Sequence, residues 1–122
     1  MTEDEVQSHF DRTIAVDFDD TIVVRVFGTL VPAKDCVEGL HMLREQGYRI
    51  VIHSARSWDK WQDKLERENE MVNLLDHWEI PYDEIYTGKG KPPAMAYVDD
   101  RGLRFSDNWL DIVRLILEKG KV

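Results

Sequence analysis

The chain has 122 residues, enough for one domain around one modest core. Its composition, 43% hydrophobic and 33% charged, is that of a globular protein, and no apolar run approaches the roughly 18 residues of a membrane span. The net charge of −8 opposes nucleic-acid binding by bulk attraction, and one cysteine, Cys36, excludes an intrachain disulfide and a cysteine metal cage.

Residues 1–11 read as a flexible or peripheral start to a single domain spanning 1–122. Met1 to Gln7 is acidic and does not resemble a secretory signal, so a cytoplasmic location is the expectation. Thr13 to Phe18 is an apolar, β-branched run and predicts a buried strand. Ile22 to Val31, with Gly28 near its middle, predicts a short hairpin or flap, and Phe27 is its residue best placed to touch a substrate. Lys34 to Gln46 sets Val37, Leu40 and Leu43 on one helical face, with Gly47 in the position of a C-terminal cap. Tyr48 to His53 predicts a second buried strand, in which His53 packs rather than reacts. Trp58 to Trp78 carries Trp58, Trp61, Leu65, Val72 and Leu75 at helical spacing, and Pro81 follows. Glu84 to Thr87 and Ala94 to Val98 predict two further strands, and Leu103 to Phe105 a short edge strand. Ser106 or Asp107 caps a last helix bearing Leu110, Val113, Ile116 and Leu117.

Strands alternating with helices predict an α/β fold: a Rossmann-like parallel sheet flanked by helices on both faces. Ligands in such sheets bind beyond the carboxyl ends of the strands. The first strand ends in Asp17-Phe18-Asp19-Asp20-Thr21. Residues i and i+2 of an extended segment point the same way, so Asp17 and Asp19 can share a site. Two carboxylates there repel each other unless a cation or a proton intervenes, and Mg²⁺ is a hard, oxygen-seeking cation suited to the task. The second strand ends in Ser54-Ala55-Arg56, a hydroxyl and a guanidinium able to hold phosphate oxygens. Gly88-Lys89-Gly90-Lys91-Pro92-Pro93 is a basic loop before the fourth strand, which ends in Asp99-Asp100-Arg101. Taken singly, these are an Asp-rich turn, a serine cap, a solvated basic loop and another polar turn. Together they place four carboxylates at two strand ends, a costly arrangement without a metal.

In this order, strand–Asp-x-Asp-x-Thr, strand–Ser, Lys and strand–Asp-Asp resemble the haloacid dehalogenase-like hydrolase superfamily. The resemblance runs from Thr13 to about Phe105. Ser-x-Arg followed by Asp-Asp-Arg is similar to the 3′-phosphatase domain of phage polynucleotide kinase. The Gly-Lys-Pro loop is similar to that of small capless phosphatases linked to capsule or sugar-phosphate metabolism. Asp20 departs from the glycine of many members and receives no catalytic role.

The resemblance implies a Mg²⁺-dependent phosphatase acting on a phosphorylated substrate. Asp17 is then the nucleophile and Asp19 the general acid and base, with Thr21 orienting the Asp19 side chain. Ser54, Arg56 and Lys91, with Lys89 as the fallback, hold the phosphoryl group. The implied metal ligands are Asp17, the Asp19 carbonyl and the Asp99-Asp100 pair, with Asp100 favoured for direct contact. The intervals from Asp19 to Ser54 and from Ser54 to Lys91 are already filled by predicted elements, which leaves no room for a large cap. An open site admits a nucleic-acid 3′-phosphate as well as a small sugar or nucleotide phosphate. Arg25, Lys89, Lys91, Arg101 and Arg104 are available for a local basic rim, whereas the net charge opposes nucleic acid.

Two alternatives compete. A response-regulator receiver also has an acidic pair and a later Ser/Thr and Lys, but its phosphoacceptor follows the third strand. No carboxylate follows the strand at Glu84 to Thr87. A non-catalytic module that binds a phospho-ligand or partner on the same fold is the other alternative, since fold does not dictate function.

Overall fold

The structure is a computed structural model that describes residues 12–57, 64–87, 92–99 and 108–119. The β-branched run forms β1, Thr13–Asp17, buried from Thr13 to Val16. A hairpin of β2, Val23–Val26, and β3, Thr29–Pro32, follows. Helix α1 covers Cys36–Glu45 and leads into β4, Arg49–His53. One 3₁₀ turn, Ala55–Ser57, precedes α2, Lys64–His77. Two short strands, β5 at Glu84–Ile85 and β6 at Ala96–Val98, come before α3, Trp109–Lys119. Trp58, Trp61, the strand expected at Leu103 to Phe105 and the caps expected at Ser106 or Asp107 lie outside the described residues.

The four-stranded sheet runs β5-β4-β1-β6, and each neighbouring pair is parallel. The chain steps from β1 to β4 to β5 in one direction, then returns to place β6 on the other side of β1. The C-terminal end of β1 is therefore a switch point, where open α/β sheets form a crevice. There is no large cap among the described residues, and the hairpin is the small flap expected from the sequence.

Both early crossovers step the same way across the sheet. Right-handed connections then lay α1 and α2 on the same face. Accordingly Leu40 and Leu43 of α1, Met71 and Leu75 of α2, and Trp109, Val113 and Ile116 of α3 join Ile14, Val16, Ile50 and Ile52 in one core cluster. Helices on both faces were expected; the three described helices share one. The alternate residues Thr13, Ala15 and Val51 are also buried, on the opposite face. Pro92 and Pro93 stand beside Thr13 and Val51 there, and the Tyr97 hydroxyl donates to the Pro92 carbonyl at 2.6 Å.

Local signals hold where the chain's own chemistry is decisive. Gly47, at φ 89°, ends α1. Its N–H donates to the Arg44 carbonyl and the Tyr48 N–H to the Leu43 carbonyl, both at 3.0 Å. These two bonds make a Schellman cap, and buried Leu43 and Tyr48 supply its apolar contact. Gly39 has a different purpose. A Cβ there would lie 3.1 Å from Val113 Cγ2, so the glycine lets α3 approach α1 closely. In α2 the expected apolar face is only partly correct. Leu65 is 71% exposed, and Met71 and Leu75 are the residues that enter the core. The first half of α2 is mostly charged, so its single leucine has no neighbours with which to form an apolar stripe.

Candidate active site

Strand register brings the motifs together. Val16 pairs with Val98 and Asp17 with His53. Asp17, Ser54 and Asp99 therefore stand at the carboxyl ends of three adjacent strands, β1, β4 and β6. Asp17 is half-buried, and its Oδ1 accepts the Phe18 N–H at 3.0 Å. Asp99 is buried, with 5% of its surface exposed. Asp100, Lys89 and Lys91 lie outside the described residues.

Beyond Asp17 the chain turns back tightly. The N–H groups of Thr21, Ile22 and Val23 all point at the Phe18 carbonyl, at 3.4, 3.0 and 3.2 Å. Asp20 makes the turn in the left-handed region, at φ 59°. Aspartate tolerates that conformation because its short side chain bonds locally. Asp20 is exposed. Phe18 is driven fully into the core, which leaves Asp19 at the surface edge, bridged through its backbone to Val23.

The Asp19 side chain is held by Arg56. Nε of Arg56 donates to Oδ2 at 2.9 Å and Nη2 to Oδ1 at 3.0 Å. This parallel pair of charge-assisted bonds is the strongest geometry available between a guanidinium and a carboxylate. The Arg56 side chain is 9% exposed and that of Asp19 44%. Arg56 Nη1 also donates to the Arg67 carbonyl at 3.3 Å and lies 3.5 Å from Glu70 Oε2. The guanidinium carbon sits 5.4 Å from the centre of the Phe18 ring. The hydrogen bond to Asp19, ahead of the opposing effect of burial, raises the guanidinium above its ordinary pKa.

Two residues with expected roles make contacts of their own within the fold. Thr21 was expected to orient the Asp19 side chain. It is buried; its N–H points at the Phe18 carbonyl, and its own carbonyl accepts the Trp109 indole N–H at 3.0 Å. The turn at Asp20 carries Thr21 into the core and away from the surface edge where Asp19 stands. Arg56 was expected to hold phosphate, yet its bidentate edge is engaged by Asp19. Ser54 is buried, and its Oγ accepts the Arg56 N–H at 3.1 Å, capping the 3₁₀ turn. A hydroxyl that accepts one bond keeps its own proton for another, so capping and phosphate binding are compatible.

Sequence reasoning did not single out Glu70 or the Arg67 carbonyl. Glu70 is one charge among many on α2, and nothing in its spacing points to Arg56. Trp109 is 1% exposed in the core, and its bond to the turn beside Asp19 cannot be read from helical periodicity.

Among the described residues, no group of three His, Cys, Asp or Glu side chains gathers as a metal cage. The Mg²⁺ set implied by the resemblance draws on a backbone carbonyl and on Asp100, so it does not require such a cage. Asp17 and Asp99, one position beyond the paired Val16 and Val98, are hard oxygen donors of the type Mg²⁺ takes.

No protein-family model matches the chain, and no curated protein matches it. Two solved structures are similar over most of their length. A conserved protein from Bacteroides thetaiotaomicron is 24% identical with a TM-score of 0.63, the match covering 89% of this chain and 92% of that one. A structural-genomics target from Vibrio cholerae is 28% identical with a TM-score of 0.56, over 90% of this chain and 99% of that one. No helix among the described residues is long and apolar enough to cross a membrane. The chain thus has an α/β fold with a four-stranded parallel sheet and a small flap, shared in outline with both proteins.

Proposed function

We propose that the chain is a Mg²⁺-dependent phosphomonoester hydrolase that works through an aspartyl-phosphate on Asp17. The observation that carries this reading is the register that sets Asp17, Ser54 and Asp99 at the ends of three neighbouring strands, with Asp19 turned back beside them. A nucleophile, a hydroxyl donor and a second carboxylate at one switch point are the parts that phosphoryl transfer needs.

In this reading the Asp17 carboxylate attacks phosphorus and the ester oxygen leaves. Asp19 gives that oxygen a proton, then takes one from the water that hydrolyses the aspartyl-phosphate. Ser54 donates its hydroxyl proton to a phosphoryl oxygen, and Lys91 or Lys89 adds positive charge. Asp17, the Asp19 carbonyl and Asp100 with Asp99 are the groups that would hold Mg²⁺, which would supply charge neutralisation between the nucleophile and the phosphate. The absence of a large cap leaves the substrate class to experiment, between a nucleic-acid 3′-phosphate and a small sugar or nucleotide phosphate.

The test is hydrolysis of an aryl phosphate with and without Mg²⁺, beside an Asp17→Asn variant. Asparagine keeps the shape and removes the nucleophilic charge, so metal-dependent turnover in the wild type and none in the variant is expected. Substantial activity in Asp17→Asn would sink the mechanism.

A further inference from the structure

The Arg56 guanidinium links three segments of the fold. Its Nε and Nη2 edge grips both oxygens of Asp19, while Nη1 faces the Arg67 carbonyl and the Glu70 carboxylate. The Phe18 ring, fully buried, supports it from one side. A phosphate taken on this bidentate edge would have to displace Asp19 from it. Moreover, Arg56 faces two carboxylates, so its charge is already balanced. A surface carboxylate with one anchored partner, by contrast, has its rotamer chosen for it, and catalytic groups lose rate steeply when misplaced.

We propose that Arg56 is a positioning residue acting through Asp19: its two-bond clasp fixes the Asp19 carboxylate for proton transfer, and Arg56 is not a phosphate ligand. The inference rests on the phosphatase reading for its kinetic consequence, though not for the clasp itself. The step served most is breakdown of the aspartyl-phosphate. There the water oxygen bonds to phosphorus, the bond from phosphorus to Asp17 oxygen breaks, and the proton of the water passes to Asp19. With an aryl phosphate the first step needs little protonation, because the leaving group is stable as an anion. Loss of the clasp therefore slows the second step more than the first.

A double-mutant cycle separates this role from phosphate binding. Arg56→Gln is expected to lower kcat by about tenfold or more while KM stays within about twofold, and to produce a burst of aryl alcohol near one per enzyme as the aspartyl-phosphate accumulates. Arg56→Lys, able to restore one bond, recovers part of kcat. In an Asp19→Asn background Arg56→Gln adds no further loss. A KM and a phosphate inhibition constant both raised about tenfold, with losses that add in the double variant, would overturn the proposal. The same four proteins are compared by urea unfolding, which needs no turnover. Non-additive effects of Arg56→Gln and Asp19→Asn support the clasp, and strictly additive ones overturn it. A wild type without turnover would remove the phosphatase reading, while the unfolding cycle would still decide the clasp.

Discussion

Replacing Trp109 by Phe tests how the first turn of α3 supports the segment that carries Asp19. Trp109 is 1% exposed, and its indole N–H meets the Thr21 carbonyl at 3.0 Å across 88 residues of sequence. Phenylalanine removes the donor and leaves the carbonyl in a buried position without it, which costs ~1–3 kcal/mol. The smaller ring also leaves space that the surrounding core closes only in part, a further ~1–2 kcal/mol at a site of this kind. A total of ~2–5 kcal/mol is a large share of the ~5–15 kcal/mol that stabilises a domain. Urea unfolding read by circular dichroism measures the loss, with Ile116→Val as a control that removes one methyl from the same core. The control is expected to cost ~0.5–1.5 kcal/mol. If Trp109→Phe cost under about 0.5 kcal/mol, the bond to Thr21 would not be a structural tie, and the support ascribed to α3 would fail.

Two further predictions concern the close contact of α1 with α3 and the thiol beneath it. Gly39→Ala gains ~1 kcal/mol of helix propensity, but its Cβ would meet Val113 Cγ2 at 3.1 Å. Val113 is β-branched and fully buried, so overpacking at ~1–3 kcal/mol outweighs the gain and the variant unfolds at lower urea. Combining it with Val113→Ala should turn the alanine at 39 from harmful to helpful, and persistence of the penalty would count against the clash. Burial pushes the Cys36 thiol from its ordinary 9.0 up to about 12. The folded state then keeps a proton that the unfolded state loses, so stability falls as pH rises from about 9 towards 12 and is unaffected below. Unfolding midpoints across that range, compared with those of Cys36→Ala, measure the added slope due to the thiol; equal slopes for the two proteins would refute the assignment.

Much of the fold was legible because it follows from short-range chemistry. The run at Thr13, the run at Arg49 and the Gly47 cap each depend on residues a few positions apart. The flap was equally local. Phe27 and Gly28 both take positive φ, 50° and 81°, which is the two-residue turn that joins twisted strands. The order of motifs along the chain also told which residues stand at strand ends, and the register confirms the placement of Asp17, Ser54 and Asp99. Leu65 was misplaced because helical spacing gives a face but not whether another element lies against it.

By itself, then, the sequence determined the strands, the turns and the acidic strand ends. Tertiary structure alone decided which side chain Asp19 faces. Asp19 and Arg56 are 37 residues apart, and Trp109 and Thr21 88. Periodicity and propensity act over one or two turns of chain. A bond of about 3 Å between distant segments depends on strand order, register and the direction of one tight turn, which together gave Asp19 to Arg56 and drew Thr21 into the core.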